Sequence, residues 1–422
     1  MEQYKIHRNI LCVDLKSFYA SVECVLRGLD ILTTKLVVAD SSRGGGSIVL
    51  SVSPKLKELG VPNVCRIFEI PTYIDGIIYA MPRMQTYLEY SAKIIGIYLS
   101  LISEEDIHVY SVDEAFLDVT EYLSYYNCTD IELANTILKK IKEETGLYAT
   151  VGIGENLLQA KLALDIESKK SKTFIAKWTY EDIKEKLWPI TKMTKMWSIG
   201  NRMDIRLRRL GFTCIGDIAR STPEKLQKHF GILGVELYYH THGIDMSIIK
   251  EKPLIKPKNK SYGAGQMLFK DYQTPEVFTI MLEQIDEVTR RLRIDNKTCQ
   301  TIHLGIGYSK NPGGGFARQI TLDRPTANES EIYEACLKLF EDYYDGSPIR
   351  CVRVSLTKLK DKTHHQYTIF ENPKKVDDEF NIGKAMDSIK MKYGKNAITR
   401  GSAELAHSTI KARNKMIGGH NA

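Results

Sequence analysis

The order of secondary-structure patterns in the first 183 of 422 residues constrains the fold of this chain more than any other feature. An apolar run at 9–14 predicts a buried strand, and apolar residues at helical spacing from Ser17 to Leu26 predict a helix directly after it. Further strands and helices follow, and the last helix of this stretch carries Lys161. This order favours a ferredoxin-like sheet covered by helices on one face.

The rest of the chain divides into segments of different composition. Short helices separated by glycines occupy 191–250, and the two prolines and the lysines of 251–260 indicate an exposed basic linker. Strand and helix patterns return at 261–360, whereas 361–422 is less regular and holds one predicted helix, at 381–392. We therefore expect an α+β multidomain protein.

Charge is distributed unevenly along the chain. Residues 1–183 hold 19 basic and 25 acidic side chains, a net of −6, whereas 184–260 hold 16 and 7, a net of +9. A carboxylate-rich part joined to a strongly basic part indicates metal chemistry beside a polyanion. A solvated, lysine-rich surface explains the same charge equally well.

Composition excludes several classes of protein. The chain is 43% hydrophobic and 26% charged, which is typical of a globular protein. Its longest uncharged apolar run has about ten residues, which is half the length of a membrane-spanning helix. Its N-terminus lacks the apolar segment that is typical of a signal peptide. The eight cysteines are scattered without a Cys-x-x-Cys pair, so neither a disulfide framework nor a zinc site is indicated. We expect a cytoplasmic protein without a membrane partner.

Three carboxylates fall at the ends of predicted strands. Asp14 ends the first strand, and Asp113 and Glu114 lie in the turn of a predicted hairpin at 108–120. If these strands pair in one sheet, the three groups meet at one edge and need a cation to offset their repulsion. Without His or Cys nearby, Mg²⁺ is favoured over zinc. The alternative is that Asp14 caps the next helix and the other two fill a solvent-facing turn.

The residues around these carboxylates resemble the signature motifs of the Y-family, translesion DNA polymerases. The first motif is Asp14–Glu23 (DLKSFYASVE) and the second is Ser111–Asp118 (SVDEAFLD). A third match follows at Val151–Asn156 (VGIGEN) and Ala160–Ala163 (AKLA). The likeness covers most of the chain, and within the family it is to the UmuC-like and UvrX-like polymerases of Gram-positive bacteria and their phages.

The resemblance implies a right-hand polymerase with a ferredoxin-like palm, small fingers, a helical thumb and an α+β little finger. It divides the chain into a palm at 1–35 and 80–183, fingers at 36–79, a thumb at 184–250, the basic linker at 251–260, a little finger at 261–360 and a tail at 361–422. The implied activity is low-fidelity translesion synthesis in DNA repair and the SOS response. The implied substrates are primer-template DNA and dNTPs, with a recombinase or accessory subunits as further partners.

The resemblance also assigns the metal ligands. It implies two Mg²⁺ ions per active site, bound by Asp14, Asp113 and Glu114, with the backbone carbonyl of Leu15 contributing to one of them. These ions serve the two-metal-ion nucleotidyl transfer of the family.

Nucleotide contacts are implied at four further positions. Tyr19 lies at the steric-gate position, where a ring under the sugar excludes a 2′-hydroxyl; the alternative is a half-buried aromatic on a core helix. The backbone N–H of Phe18 and the side chains of Lys57 and Lys161 are expected near the triphosphate. Pro54 and Lys57 replace a tyrosine and an arginine of many relatives, which predicts weaker nucleotide binding.

Contacts to DNA are implied in the thumb and the little finger. The segment 199–211 resembles a helix-hairpin-helix, in which Gly200 begins a helix and Arg202 replaces the usual second glycine. A plain pair of antiparallel helices is the alternative. In the little finger, Lys310 and Arg318 are expected to contact phosphates.

Residues 366–370 (QYTIF) resemble a peptide that binds the DNA sliding clamp. In such a peptide Ile369 and Phe370 fill an apolar groove, and Gln366 forms hydrogen bonds at its rim. The alternative is that this segment is a strand end of the little finger.

Two other functions remain open at this point. A palm-type nucleotidyl cyclase shares the sheet and the carboxylates but needs neither a basic thumb nor a clamp peptide. A non-catalytic, DNA-binding damage-response protein could retain the fold, although the intact Asp14, Asp113 and Glu114 argue against it.

Overall fold

The computed structural model describes residues 1–254, 260–311, 313–362 and 372–421. The chain forms two compact units: Met1–Ile255 with His420–Ala422, and Lys256–Gly419. In the described ranges, no helix is long and apolar enough to cross a membrane. The predicted clamp-binding residues Gln366, Ile369 and Phe370 lie outside them. Each of the eight cysteines is a free thiol.

The first unit is built on a mixed sheet with the strand order β5-β6-β1-β7-β8 and a smaller sheet with the order β3-β2-β4. The strands are β1 (Ile10–Leu15), β2 (Leu36–Ala39), β3 (Val49–Val52), β4 (Ile78–Ala80), β5 (Ile107–Val109), β6 (Glu114–Asp118), β7 (Ala149–Gly154) and β8 (Ile175–Lys177). β1 is antiparallel to both of its neighbours, whereas β8 runs parallel to β7. The central position of β1 fits its apolar sequence.

Helices surround these sheets. They are α1 (Phe18–Leu26), α2 (Pro54–Glu58), α3 (Met84–Leu99), α4 (Thr120–Tyr125), α5 (Asp130–Thr145), α6 (Leu157–Leu162), α7 (Asn201–Arg209), α8 (Ile215–Ala219), α9 (Pro223–Phe230) and α10 (Ile232–Thr241). The termini of α5 show why such a segment is helical. Thr129 and Glu132 form a reciprocal capping box at its start, and Gly146 ends it at φ 74°, a left-handed conformation that glycine adopts without strain.

Helices cover both faces of the main sheet, which corrects the expectation of one covered face. Leu11 and Val13 of β1 pack in the core beneath α3 and α5. On the opposite face, α6 packs against Ile10 and Cys12. A Cβ atom at Gly152 would lie 2.1 Å from a backbone oxygen at the end of α6, so this close approach requires glycine in β7.

The second unit contains a sheet with the strand order β11-β10-β12-β9, and a short strand, β13, pairs with β10. Its elements are β9 (Tyr262–Tyr272), α11 (Glu276–Ile294), β10 (Lys297–Tyr308), β11 (Gly315–Thr326), α12 (Glu329–Tyr343), β12 (Ile349–Thr357), β13 (Lys360–Asp361), α13 (Pro373–Tyr393) and α14 (Ile410–Arg413). Two short strands, β14 (Met416–Ile417) and β15 (His420–Asn421), end the described chain. The helices α11 and α12 pack on one face of this sheet and leave the other face open. Strand β9 was not predicted from the sequence.

Short turns of 3-10 and π type connect these elements. The 3-10 turns are Glu2–Tyr4, Ser41–Arg43, Ile67–Glu69, Glu104–Asp106, Ser168–Lys170, Met193–Lys195, Ile249–Leu254 and Gly401–Glu404. The π turns are Ala163–Glu167 and Ile183–Leu187. The first π turn directly follows α6, and π turns often occur at functional sites.

Charged contacts join the described tail residues to α11. The carboxylate of Asp387 in α13 receives a hydrogen bond of 2.7 Å from the Nε atom of Arg293, and Lys390 donates one of 2.8 Å to Asp286. Farther along, the backbone N–H of Thr409 donates to buried Glu283 over 3.1 Å. The residues from 372 to 419 therefore belong to the second unit.

Candidate functional site

Strand pairing brings the three predicted carboxylates together. Asp14 and Glu114 lie directly opposite each other on β1 and β6, so their Cβ atoms are about 5 Å apart. The backbone carbonyl of Asp113 accepts a hydrogen bond of 2.9 Å from the N–H of Leu15. The residue that precedes α1 is Ser17, not Asp14. The alternative in which Asp14 caps that helix is therefore wrong.

Two lysines form ion pairs with this cluster. The Nζ atom of Lys169 lies 2.7 Å from Oδ2 of Asp14, and that of Lys161 lies 2.7 Å from Oε1 of Glu114. Asp165 lies between the two lysines, 3.0 Å from Lys161 and 2.7 Å from Lys169. Sequence reasoning missed Asp165 and Lys169. The (i, i+4) spacing of residues 161, 165 and 169 was the available signal.

The surroundings of the cluster favour a bound cation. Burial is the main cause that raises the pKa of Asp14 to about 6; the charge of Lys169 opposes this shift, and the charges of Asp113 and Glu114 add to it. Contrary to the expectation of no nearby His or Cys, Cys12 lies beside the cluster, where its thiol donates a hydrogen bond of 3.2 Å to Oε1 of Glu114. Burial raises the pKa of this thiol, so it stays protonated and is not a zinc-binding thiolate. Carboxylates in such a low-dielectric site need a compensating positive charge.

The donor set fits a hard divalent ion. Asp14, Asp113, Glu114 and the carbonyl of Leu15 are all oxygen donors, which Mg²⁺ prefers. Within the described residues, no group of three or more His, Cys, Asp and Glu side chains is arranged to hold a metal. The carboxylates of Asp14 and Glu114 form ion pairs with Lys169 and Lys161 instead of converging on one point, which explains why no such group is found.

An aromatic stack lies next to the carboxylates. Tyr19 is half-buried and its ring stacks on that of Tyr87, with centroids 4.4 Å apart and planes 17° apart. The ring of Phe18 is buried and tilted against Tyr19. Burial raises the pKa of the Tyr19 hydroxyl, and the charge of Asp113 adds to that shift. The hydroxyl of Tyr19 is therefore within electrostatic range of the cluster.

The start of α1 has free donors for an anion. Ser17 precedes the helix in the left-handed region, at φ 50°, and its hydroxyl forms no capping hydrogen bond. The first N–H groups of a helix have no acceptor within the helix. Here that of Ala20 donates to the hydroxyl of Ser51 over 3.3 Å, so those of Phe18 and Tyr19 are the candidates for an anion. Lys57 on α2 has its pKa lowered by desolvation, and the charge of Asp14 opposes that shift. Its ammonium is therefore in range of the same cluster.

The predicted phosphate-binding turn of the thumb is an open helix start. Gly200 directly precedes α7 in an extended conformation, and a Cβ atom there would meet no other atom within 4 Å. Arg202, in the first turn of α7, is exposed. Three arginines lie in the last turn of α7. A second helix, α8, follows after a short turn, as the predicted hairpin requires.

The predicted contacts of the second unit lie on different surfaces. Arg318 faces the helices, because it is opposite Leu304 in the sheet, and its guanidinium lies 4.8 Å from the ring centroid of Tyr343. Lys310 is exposed in the turn after β10. Exposed Arg353 belongs to the open face, opposite Gly305 and Gly265. Sequence reasoning missed Arg353, although the alternation of β12 could have revealed it.

Comparison with known families identifies the class of protein. The model of the impB/mucB/samB family matches residues 13–165, and that of its C-terminal domain matches residues 259–369. Together they include the carboxylate cluster, Lys161 and the sheet of the second unit, whereas Lys169 lies four residues beyond the first match. The chain belongs to the Y family of DNA polymerases, whose members generally use divalent metal ions.

Individual relatives agree with this family over nearly the whole chain. It is 43% identical over 98% of both chains to UvrX of Bacillus subtilis (strain 168), a protein named for UV-damage repair. It is 34% identical to DNA polymerase IV 2 of the same organism, covering 97% of this chain and 98% of that one. The chain is therefore homologous to DNA polymerase IV enzymes over nearly its full length.

A solved structure confirms the fold class predicted from the sequence. A Y-family polymerase chimera of Dbh and Dpo4 superposes with a TM-score of 0.65 and 21% identity, covering 84% of this chain and 99% of the chimera. The protein is thus an α+β multidomain polymerase with a C-terminal little-finger domain. The boundaries given above for palm, fingers, thumb and tail stay predictions, as do the roles of individual residues.

Proposed function

We propose that this protein is a translesion DNA polymerase that extends a primer by single deoxynucleotides opposite damaged as well as intact template, with low fidelity. The observation that carries this proposal is the meeting of Asp14, Asp113 and Glu114 at one sheet edge beside Lys169. Its setting is DNA repair and the SOS response in the cytoplasm, where a recombinase or accessory subunits are further candidate partners.

The carboxylate cluster is the proposed metal site. Asp14, Asp113, Glu114 and the carbonyl of Leu15 would hold two Mg²⁺ ions. Such ions supply charge stabilisation for the phosphoryl transfer and lower the pKa of the primer 3′-hydroxyl. Asp14 and Glu114 lie on paired strands, so these two ligands are held close together without any movement of a loop.

Three lysines surround the proposed triphosphate site and differ in exposure. Lys161 is 9% exposed and pairs with Glu114, so it is the least accessible to a nucleotide. Lys169 is 42% exposed, and Lys57 is also exposed. We infer that Lys57 and Lys169 bind the triphosphate directly, together with the backbone N–H groups of Phe18 and Tyr19 at the start of α1. Lys161 then acts mainly on the orientation of Glu114.

Tyr19 is the proposed steric gate. Its ring is fixed by stacking on Tyr87 and cannot retreat without losing that contact. A sugar held above this ring would have no room for a 2′-hydroxyl. This supports a preference for dNTPs over ribonucleotides.

Template-primer DNA has two candidate surfaces, one in each unit. In the first unit, Gly200 and Arg202 present an open helix start to a phosphate. In the second unit, Arg353 lies on the open sheet face between Gly305 and Gly265. These glycines have no side chain, so a phosphate backbone could approach the sheet closely. Lys310 is a further exposed cation, whereas the contact of Arg318 with Tyr343 makes Arg318 the weakest of these candidates.

Replacing Lys57 with alanine is expected to raise the KM for dNTPs about three- to tenfold, because one charge is lost beside the triphosphate. Steady-state insertion of one dNTP on primed DNA measures this change. Lys55→Ala on the same helix is the matched control, since Lys55 pairs with Glu58 over 3.1 Å. An unchanged KM in Lys57→Ala would remove Lys57 from the site.

Phe370→Ala is expected to weaken binding to the sliding clamp by about thirtyfold, because the aromatic anchor proposed to fill the clamp groove is lost. Synthesis without the clamp should keep its rate. Clamp-dependent and clamp-independent primer extension are measured side by side, with Thr363→Ala, upstream of the peptide, as the control. Full clamp stimulation in Phe370→Ala would show that 366–370 is not the clamp peptide.

The proposed function is tested by primer extension with the purified protein, Mg²⁺ and single dNTPs. Templated incorporation on an intact template supports a polymerase, and incorporation opposite an abasic site supports translesion synthesis. Salt-sensitive binding to primed DNA separates a polymerase from a nucleotidyl cyclase. Binding without any extension, even with the clamp loaded, would favour the non-catalytic DNA-binding alternative.

A further inference from the structure

A chain of alternating charges links the two strands that carry the proposed metal ligands. It runs from Glu114 to Lys161, from Lys161 to Asp165, from Asp165 to Lys169 and from Lys169 to Asp14, with N–O distances of 2.7, 3.0, 2.7 and 2.7 Å. The central carboxylate, Asp165, belongs to the π turn Ala163–Glu167 and lies four residues from each lysine. None of the roles assigned above includes Asp165.

The two oxygens of Asp165 are divided between the two lysines. Oδ2 lies 3.0 Å from Lys161, and Oδ1 lies 2.7 Å from Lys169. Each carboxylate oxygen of Asp165 therefore faces one ammonium group. Asp165 is therefore placed to position the two lysines, and its oxygens are not available as additional metal ligands.

Lys169 and a divalent cation compete for the same carboxylate. The Nζ atom of Lys169 lies 2.7 Å from Oδ2 of Asp14, within direct contact distance. A cation that binds this oxygen has to displace the ammonium group, since the two positive charges repel each other. Because Lys169 is 42% exposed, it would swing into solvent unless a second partner retained it.

We propose that Asp165 is a positioning residue that retains Lys169 when Asp14 exchanges this lysine for a divalent cation. This inference rests on the proposed function, because it takes Asp14 as a metal ligand. Asp165 lowers the cost of releasing Asp14, since Lys169 keeps one of its two ion pairs throughout the exchange. It also leaves the ammonium group beside the site, where a triphosphate can reach it.

The test is a titration of the full-length protein with Mn²⁺, followed by the electron paramagnetic resonance signal of the free ion, without DNA or nucleotide. Lys169→Ala, which truncates an exposed side chain, is expected to tighten Mn²⁺ binding roughly three- to tenfold, because the competitor is gone. Asp165→Asn is expected to weaken binding by a similar factor of roughly three to ten, since Lys169 then pairs with Asp14 alone.

The double variant Lys169→Ala, Asp165→Asn decides between an indirect and a direct effect of Asp165. If Asp165 acts by retaining Lys169, the double variant binds Mn²⁺ as tightly as Lys169→Ala. If Asp165→Asn weakens binding equally in that background, Asp165 acts through its own charge and the proposal is overturned. Lys170→Ala and Glu143→Gln are controls; Glu143 pairs with Lys139 at the same (i, i+4) spacing, 3.8 Å away, on an exposed helix surface.

Asp14→Asn and primer extension separate this inference from the proposed function. Loss of one Mn²⁺ site in Asp14→Asn, together with extension by the native chain, upholds the metal site itself. An unchanged dissociation constant in Asp165→Asn would then overturn only the positioning role. Mn²⁺ binding that does not depend on Asp14 would overturn both.

Discussion

A protein that carries Asp113→Ala and Glu114→Ala should bind primed DNA normally but insert nucleotides at least about a thousandfold more slowly, since loss of the metal ligands removes about 4 kcal/mol of transition-state stabilisation. The change removes two of the three carboxylates that meet at the edge of the main sheet. Lys161 keeps its contact with Asp165 in this variant, so its ammonium group is not left without a partner. Single-turnover insertion of one dNTP measures the effect.

The control for this variant is Glu143→Ala, Glu144→Ala, which removes two adjacent, exposed carboxylates from α5. It should insert nucleotides at the native rate. Thermal unfolding of both variants checks that the fold is retained. Insertion at the native rate by Asp113→Ala, Glu114→Ala would refute the assignment of the active site, whatever its DNA affinity.

Tyr19→Ala is expected to reduce discrimination between deoxynucleotides and ribonucleotides by about 10- to 200-fold. The ring is fixed on Tyr87 at 4.4 Å, and its removal opens space where a 2′-hydroxyl would otherwise collide. The measurement is the ratio of kcat/KM for a dNTP and the corresponding ribonucleotide on the same primed template. The reduced discrimination should result from faster ribonucleotide insertion, not from slower dNTP insertion.

Tyr19→Phe is the matched variant, because it keeps the ring and removes only the hydroxyl. It should discriminate as the native protein does, which would assign the effect to the ring. Equal discrimination by Tyr19→Ala and the native chain would leave Tyr19 as a core aromatic that stacks on Tyr87. Loss of discrimination in both variants would instead assign the effect to the hydroxyl.

Elements whose signals are local could be predicted from the sequence. Regular apolar spacing at 329–343 predicts a helix, and α12 has these bounds, Glu329–Tyr343. Asn328 caps its first turn by accepting hydrogen bonds from two backbone N–H groups. The placement of Asp14 and Glu114 at the ends of apolar strands was also predictable, whereas their meeting depends on the pairing of those two strands. In these cases neighbouring residues in the chain carry the necessary information.

Features that depend on distant contacts could not be predicted in this way. Strand β9 contains Gly263 and Gly265, which are typical of loops, and it is a strand because it pairs with β12, about ninety residues later. The (i, i+4) spacing of Lys161, Asp165 and Lys169 indicates that they share one face, but not that Lys169 meets Asp14 of a distant strand. The long-range packing, not the local pattern, determines both.

The attachment of the tail to α11 limits how hybrid proteins can be made from two polymerases of this kind. Arg293 is 6% exposed and meets Asp387 of the tail, and Lys390 meets Asp286 in the same way. A chain shortened at Asp361 would remove the partners of Arg293 and Asp286 and expose to water the surface of α11 that the tail covers. In a hybrid of two relatives, α11 and the last fifty or so residues should therefore be inherited from the same parent.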